Sequence, residues 1–107
     1  MKRYGQVIRL QPGDLETYKK YHADVWPGVL ATIHQCNMRN YTIFHKDGVL
    51  FAYFEYVGDD FEADMAKIAA DTTTQEWWEI MEPMQDPVET RAEGEWWANM
   101  EEVFHTD

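Results

Sequence analysis

Residues 49–57 constrain the fold more than any other part of the chain, because this stretch is apolar on both sides of an extended backbone. Side chains of a strand alternate between the two faces of its sheet. One face carries Val49, Phe51 and Tyr53, and the other carries Leu50, Ala52, Phe54 and Tyr56. A strand of this kind needs a cover on each side. The sequence therefore predicts a strand inside a sheet that is covered twice.

The flanking segments predict the element order β-α-β-β-α-β. Strands are expected at residues 4–10, 38–45, 49–57 and 100–105, helices at 15–22 and 27–35, a helix with the stripe Phe61, Met65 and Ile68, a short helix carrying Trp77, Trp78 and Met81, and a loop over 83–97. This order is typical of a ferredoxin-like α+β fold with an antiparallel sheet and both helical regions on one face. A length of 107 residues favours one domain spanning 1–107.

Turn and cap residues support these boundaries. Asp47-Gly48 is a strong hairpin signal between the two middle strands. Pro27 disfavours helical geometry at Trp26 and is itself well placed at a helix start. The expected N-caps are Asp14, then Asp59 or Asp60, and two overlapping capping boxes, Thr72 with Gln75 and Thr73 with Glu76.

The second cover for the sheet is not available within this chain, since the helices supply only one. A second copy related by a two-fold axis would supply the other, which predicts a homodimer built as a dimeric α/β barrel. The alternative is that a barrel-like curl of the sheet or the 83–97 loop covers the face.

The charge and cysteine content limit which binding partners and which cellular compartment are expected. Nine basic residues against twenty acidic ones give a net charge of −11, which argues against nucleic acid or anionic membrane surfaces and leaves a neutral substrate unaffected. Cys36 is the only cysteine, so no intrachain disulfide forms, and a lone thiol suits the reducing cytoplasm. The start of the chain has no apolar signal-peptide core, and no apolar run approaches a membrane span.

The first helix carries the clearest candidate for chemistry. Leu15, Tyr18, His22 and Trp26 share one helix stripe, which is expected to face the sheet. An imidazole can give and take protons near neutral pH, and a phenol one turn away can orient a substrate hydroxyl. The alternative is a core histidine packed beside a tyrosine, and the pattern alone favours that interpretation slightly.

Two further motifs are candidates for sugar binding. Tyr41 shares its predicted strand face with Arg39, Ile43 and His45, as a site floor or a partly exposed strand would. Trp77 and Trp78 diverge by about 100° on a helix, so one ring can enter the core while the other stacks on the C–H face of a sugar. A purely structural role is the alternative for this pair. A second pair, Trp96-Trp97, is first assigned to core or interface packing.

Other site classes find little support. The four histidines lack metal-ligand spacing, and there is no glycine-rich phosphate loop or nucleophile elbow. We therefore expect neither a metal nor a cofactor.

Taken together, these motifs resemble the L-rhamnose mutarotase family. The resemblance rests on Tyr18-x-x-x-His22-x-x-x-Trp26-Pro27, Asn40-Tyr41, Trp77-Trp78 and Glu101-Glu102-Val103-Phe104, in order over nearly the whole chain. It implies a dimeric ferredoxin-like fold and an isomerase of the aldose 1-epimerase type, active on L-rhamnopyranose. His22 corresponds to the family's proton donor, and Tyr18, Tyr41, Trp77 and Trp78 correspond to its sugar-binding residues. Trp96-Trp97 and the ending His105-Thr106-Asp107 depart from the pattern.

Mutarotation needs only general acid–base steps, in which the ring oxygen gains a proton and the anomeric hydroxyl loses one. The resulting hypothesis is that His22 protonates the ring oxygen and later retrieves the proton, while Tyr18, Tyr41 or a water handles the anomeric hydroxyl. Fold alone does not decide function. A cofactor-free monooxygenase-like enzyme, a non-catalytic sugar-binding protein and a dimerisation module are the alternatives.

Overall fold

The computed structural model describes residues 1–107, and its elements follow the predicted order. In chain order they are β1 (Lys2–Leu10), α1 (Leu15–Ala23), α2 (Pro27–Gln35), β2 (Met38–Lys46), β3 (Val49–Tyr56), α3 (Phe61–Ala70), α4 (Thr72–Met81), β4 (Gln85–Asp86) and β5 (Ala98–Met100), with a turn of 3-10 helix at Glu82–Met84. Each predicted helical region thus contains two consecutive helices. None of the helices is long and apolar enough to cross a lipid bilayer.

The strands form one antiparallel sheet in the order β2-β3-β1-β4, and β5 also pairs with β1. Strand β1 lies in the middle and pairs with β3 from Lys2 opposite Tyr56 to Arg9 opposite Val49. The buried side chains of β1 and β3 point to the helices, where they meet Val29, Ile68 and Trp77. The predicted ferredoxin-like α+β architecture is confirmed.

The turn between β2 and β3 confirms the hairpin signal. Asp47 and Gly48 both have positive φ angles, of 51° and 79°, which is the type I′ geometry that matches the twist of the two strands. Pro27 acts as predicted as well, because α1 ends at Ala23 and α2 begins at the proline.

The helix caps agree with the prediction only in part. Asp60 caps α3 by accepting a hydrogen bond from the Ala63 backbone amide. The two predicted capping boxes at the start of α4 are wrong, since the Asp71 carboxylate takes both the amide and the hydroxyl hydrogen of Thr74. A carboxylate is a stronger acceptor than a threonine hydroxyl, so the N-cap is Asp71, one residue before the first predicted box and two before the second. Asp14 stands at the N-cap of α1 without a side-chain cap bond.

The end of the chain differs from the prediction. The strand predicted at 100–105 is wrong, because β5 ends at Met100 and residues 101–107 are exposed and lie outside any strand. Nothing in this chain buries Val103 or Phe104, so their alternation gains nothing from pairing with β1. Within the predicted 83–97 loop, Gln85–Asp86 pairs with β1 as the short strand β4.

The face of the sheet that points away from the helices is open, with apolar side chains at its centre and charged ones such as Arg3, Arg9 and Lys46 towards the strand ends. We call it the outer face, and it carries Phe44, Val49, Phe51 and Met100, all of them exposed. The Phe51 ring lies across β1 above Gly5, within 3.4 Å of where a β-carbon would stand. The 83–97 segment contacts this face only at Arg9, through Asp86 and Pro87, and neither it nor the curl of the sheet buries these four apolar side chains. The predicted dimer stays a prediction.

Candidate active site

A cavity of about 800 Å³ lies between the helices and the sheet. Its walls are mostly apolar and aromatic, with a few polar side chains among them, which is the usual make-up of a small-molecule site. All five residues predicted for a site line this one cavity: Tyr18, His22, Tyr41, Trp77 and Trp78. They come from α1, β2 and α4, so tertiary packing brings the three sequence motifs together.

The imidazole of His22 is held in one orientation by the helix that carries it. Its Nδ1 atom lies 2.8 Å from the Tyr18 carbonyl oxygen one turn earlier. A carbonyl only accepts hydrogen bonds, so Nδ1 carries the hydrogen, and in the neutral ring Nε2 keeps a free lone pair. The ring stacks on Tyr18, with centroids 4.3 Å apart, and meets the edge of Trp77 at 5.4 Å.

Burial sets the protonation state of this histidine. Loss of hydration disfavours the imidazolium and lowers the pKa of His22 below its usual 6.5, while the bond to the Tyr18 carbonyl acts in the opposite direction. At neutral pH the resting ring is therefore a neutral base. Any proton that His22 gives to a ligand is one that it has first accepted.

Tyr18 is a buried phenol in the wall of the cavity, with 4% of its surface exposed. Its hydroxyl oxygen accepts a hydrogen bond of 3.0 Å from the Gln85 side-chain amide. Burial raises the pKa of Tyr18, so the group is protonated at neutral pH. No protein atom accepts the hydrogen of this hydroxyl.

A β-bulge places Tyr41. Asn40 and Tyr41 together lie opposite a single position of β3 between the pairs Arg39–Glu55 and Thr42–Tyr53. Asn40 takes a left-handed φ of 53°, which asparagine tolerates better than most residues. The extra residue turns the Tyr41 side chain to the helix side of the sheet.

The bulge also corrects the predicted face of β2. Ile43 and His45 share the cavity side with Tyr41, but Arg39 precedes the bulge and does not. Its guanidinium instead donates to the His34 carbonyl at the end of α2. Although Tyr41 is 38% exposed as a residue, its hydroxyl is desolvated, which raises the pKa of Tyr41 to about 12, and nearby Tyr18 adds to the effect.

The two adjacent tryptophans of α4 have different surroundings. Trp77 is 6% exposed and belongs to the main core, where its ring meets Trp26 edge to face at 5.2 Å. Trp78 is 37% exposed and also lines the cavity. Trp77 is therefore a buried core residue and Trp78 is accessible to solvent, as expected for adjacent residues that point in directions about 100° apart on a helix.

The sequence did not identify Gln85 or the polar role of the segment that follows it. The Trp96 indole N–H donates to the Gln85 side-chain oxygen at 2.8 Å, and both residues line the cavity. On the β1 side, the Gln6 amide donates to Asn99, which in turn donates to Glu95. The only sequence signal in this segment is the Trp96-Trp97 pair, whose pattern predicts packing and no hydrogen bond.

The cavity suits a neutral ligand with both polar and apolar surface. No group of three or more His, Cys, Asp or Glu side chains is placed to hold a metal ion. Tyrosine hydroxyls, amide groups and an imidazole alternate with indole rings around the space. Hydroxyl groups of a ligand can form hydrogen bonds with these polar side chains, while its C–H surfaces can stack on the indole rings.

Comparisons with known proteins agree on one family. The family model described as L-rhamnose mutarotase matches residues 3–106. The L-rhamnose mutarotase of Lactiplantibacillus plantarum is 37% identical over 109 residues, with all of both chains covered.

Two solved structures share the fold. The crystal structure of an L-rhamnose mutarotase from Formosa agariphila superposes with a TM-score of 0.78 at 23% identity, over all of both chains. A tetracenomycin F2 cyclase from Streptomyces glaucescens superposes with a TM-score of 0.75 at 18% identity, over all of this chain and 98% of that one. At such identities the likeness establishes the fold alone, which evidently carries different chemistries.

Proposed function

The chain belongs to the L-rhamnose mutarotase family, and from that premise we propose that it interconverts the α and β anomers of L-rhamnopyranose, as an isomerase of the aldose 1-epimerase type. The observation that carries the proposal is the His22 imidazole in the cavity wall, with Nδ1 bound to a carbonyl and Nε2 free. We propose His22 as the catalytic residue and Tyr18, Tyr41, Trp77 and Trp78 as the residues that bind the sugar.

The chemistry requires one proton to move between two oxygens on the same carbon. Because the resting imidazole is neutral, we propose that Nε2 of His22, rather than Tyr18, Tyr41 or a water as the sequence suggested, takes the proton of the anomeric hydroxyl in ring opening. The imidazolium then gives it to the ring oxygen as the C1–O5 bond breaks and the C1–O1 double bond forms. Closure on the other face of the aldehyde runs these steps in reverse, so protons balance and no cofactor enters. A positioned acid–base group typically contributes ~10²–10⁴ in rate.

We expect the protein to accelerate anomer exchange of L-rhamnose, measured by saturation-transfer NMR between the two anomeric proton resonances. After subtraction of the buffer rate, the rate should be constant from pH 7 to 9 and fall at lower pH, with a midpoint below 6.5. The fall follows because only the neutral imidazole has a free lone pair on Nε2, and its lowered pKa places the loss on the acid side. Tyr41, with a pKa of about 12, stays protonated throughout this range.

Each contrary outcome has a distinct meaning. A rate that rises below pH 6.5 would identify the imidazolium as the resting active form and overturn the assigned proton order. Absence of exchange at every pH would refute the activity. If rhamnose then still changed the tryptophan fluorescence, the protein would be a sugar-binding protein.

We also propose that two copies pair through the outer face. Its support is the exposed apolar surface of Phe44, Val49, Phe51 and Met100 on an otherwise acidic protein, together with a C-terminal tail whose Val103 is 86% exposed. Contiguous apolar surface of this kind marks an association site, and a self-complementary patch generates a two-fold dimer.

Phe51→Lys should convert the dimer into a monomer, because the ring lies in the middle of the outer face and a charge there meets its own copy across the axis. Light scattering coupled to size exclusion gives the mass directly. Ala31→Lys, on the exposed side of α2, adds the same charge elsewhere and should leave the mass at twice that of one chain. A parent protein that elutes as a monomer at micromolar concentration would refute the proposal.

We further propose that the whole chain is one domain and works in the cytoplasm. Both core clusters lie between the same sheet and the same helical layer, which supports a single folding unit. Cys36 is a buried free thiol, and an unpaired cysteine suits a reducing compartment.

A further inference from the structure

We infer that Gln85 and Trp96 are positioning residues that fix the Tyr18 hydroxyl as a hydrogen-bond donor to the anomeric oxygen of the sugar. The inference rests on the proposed function and deepens it. Its basis is a relay in which Trp96 Nε1 donates to Gln85 Oε1 and Gln85 Nε2 donates to Tyr18 Oη. The relay links the segment after β4 to the helix that carries His22.

The direction of the relay follows from the chemistry of its first member. An indole N–H only donates, so the amide atom of Gln85 that faces it must be the oxygen. The other amide atom, which faces Tyr18, must then be the nitrogen, and a nitrogen of this type only donates. Tyr18 therefore accepts at its oxygen and has to direct its own hydrogen elsewhere.

The cavity is the place left for that hydrogen. Tyr18 and Gln85 are 4% and 7% exposed, and Tyr18 lines the cavity with no protein acceptor for its hydroxyl hydrogen. Linked hydrogen bonds of one direction polarise each other, so the relay also strengthens this last donor. A ligand oxygen in the cavity would receive it.

The anomeric oxygen is the ligand atom that gains most from such a donor. It develops negative charge as its proton moves to His22, and it becomes a carbonyl oxygen in the open form. The rings of Tyr18 and His22 stack with centroids 4.3 Å apart and line the same cavity, so a sugar bound beside one side chain lies beside the other. Donors aimed at developing charge act on kcat rather than on binding alone.

Gln85→Glu tests the proposed direction of the hydrogen bonds from Trp96 through Gln85 to Tyr18. The introduced carboxylate only accepts, so it would take both the indole hydrogen and the Tyr18 hydroxyl hydrogen and withdraw the donor from the sugar. We expect kcat for rhamnose exchange to fall ~10²-fold with a much smaller change in KM, as for loss of one preorganised donor. Gln35→Glu, at an exposed position at the end of α2, makes the same replacement outside the cavity and should leave kcat unchanged.

A double-mutant cycle separates positioning from a general structural role. Tyr18→Phe should lower kcat by about the same factor, and Tyr18→Phe combined with Gln85→Glu should lower it no further, because both changes remove one donor. Trp96→Phe, which keeps an aromatic ring but removes the indole N–H, should lower kcat ~3–10-fold and also lose its effect in the Tyr18→Phe background. If the fold-losses in kcat multiply when Tyr18→Phe is combined with Gln85→Glu or with Trp96→Phe, the inference is wrong.

A measurement without sugar tests the relay independently of the activity. Gln85→Met should shift the Trp96 indole N–H resonance upfield and speed its exchange with water, while Gln35→Met should do neither. An unmoved resonance would overturn the relay even in an active enzyme. A moved resonance in a parent protein without anomer exchange would instead refute the proposed function and with it the role at the sugar.

Discussion

His22→Ala is expected to slow protein-dependent anomer exchange of L-rhamnose by ~10²–10⁴-fold, the range lost when a positioned acid–base group is removed. The change takes away Nε2, the group proposed to carry the proton between the anomeric and ring oxygens. Saturation-transfer NMR at pH 7.5 measures the loss. Rhamnose binding, followed by tryptophan fluorescence, should weaken far less, because the indole and phenol groups remain.

Two controls make the result specific to the proton. His34→Ala removes an exposed imidazole on α2 and should leave the exchange rate at the parent value. Circular dichroism at 25 °C should report a folded His22→Ala protein, since His22 is only half-buried. A folded variant that exchanges anomers as fast as the parent would remove His22 from the mechanism.

Trp77→Ala is expected to lower the free energy of unfolding by ~3–5 kcal/mol, the cost of replacing a buried tryptophan by alanine. The indole is 6% exposed and packs edge to face against His22 and Trp26, so its loss leaves a cavity between α1, α2 and α4. The free energy of unfolding of a small domain is about 5–15 kcal/mol in total, so loss of this one side chain would remove a large part of it. Urea denaturation followed by circular dichroism measures the change.

The adjacent Trp78 provides the matched comparison. Trp78→Ala removes the same side chain from the same helix at a site 37% exposed, and its cost should stay below about 1 kcal/mol. Its effect should fall instead on rhamnose affinity. If the two variants lose the same free energy of unfolding, the assignment of Trp77 to the core and Trp78 to the solvent-accessible side is wrong.

The features of this fold that could be predicted from the sequence are those set by residues close together along the chain. Tyr18 and His22 share a helix face whatever the rest of the molecule does, because a spacing of four residues guarantees it. The Asp47-Gly48 turn and the proline start of α2 are equally local. This is why the helix bearing the proposed catalytic residue was identified without a structure.

The parts that were missed depend on pairing at long range. The bulge at Asn40 exists only in register with β3, so a strict alternation placed Arg39 on the wrong face. Gln85 is 67 residues from Tyr18 and 11 from Trp96, and no periodicity links positions so far apart. The capping boxes failed for a different reason, competition from the stronger acceptor Asp71 one residue upstream.

The anchor of the His22 ring is a main-chain atom, the carbonyl of position 18, and not a side chain. Every amino acid supplies that carbonyl, so the hydrogen bond to Nδ1 survives any replacement at this position that keeps α1 intact, even when the stacking contact is lost. The phenol of the same residue takes no part in this hydrogen bond, although it stacks on the imidazole and is proposed to donate to the sugar. A substitution at position 18 would therefore change sugar recognition and rate while leaving in place the hydrogen bond that holds Nδ1 of His22.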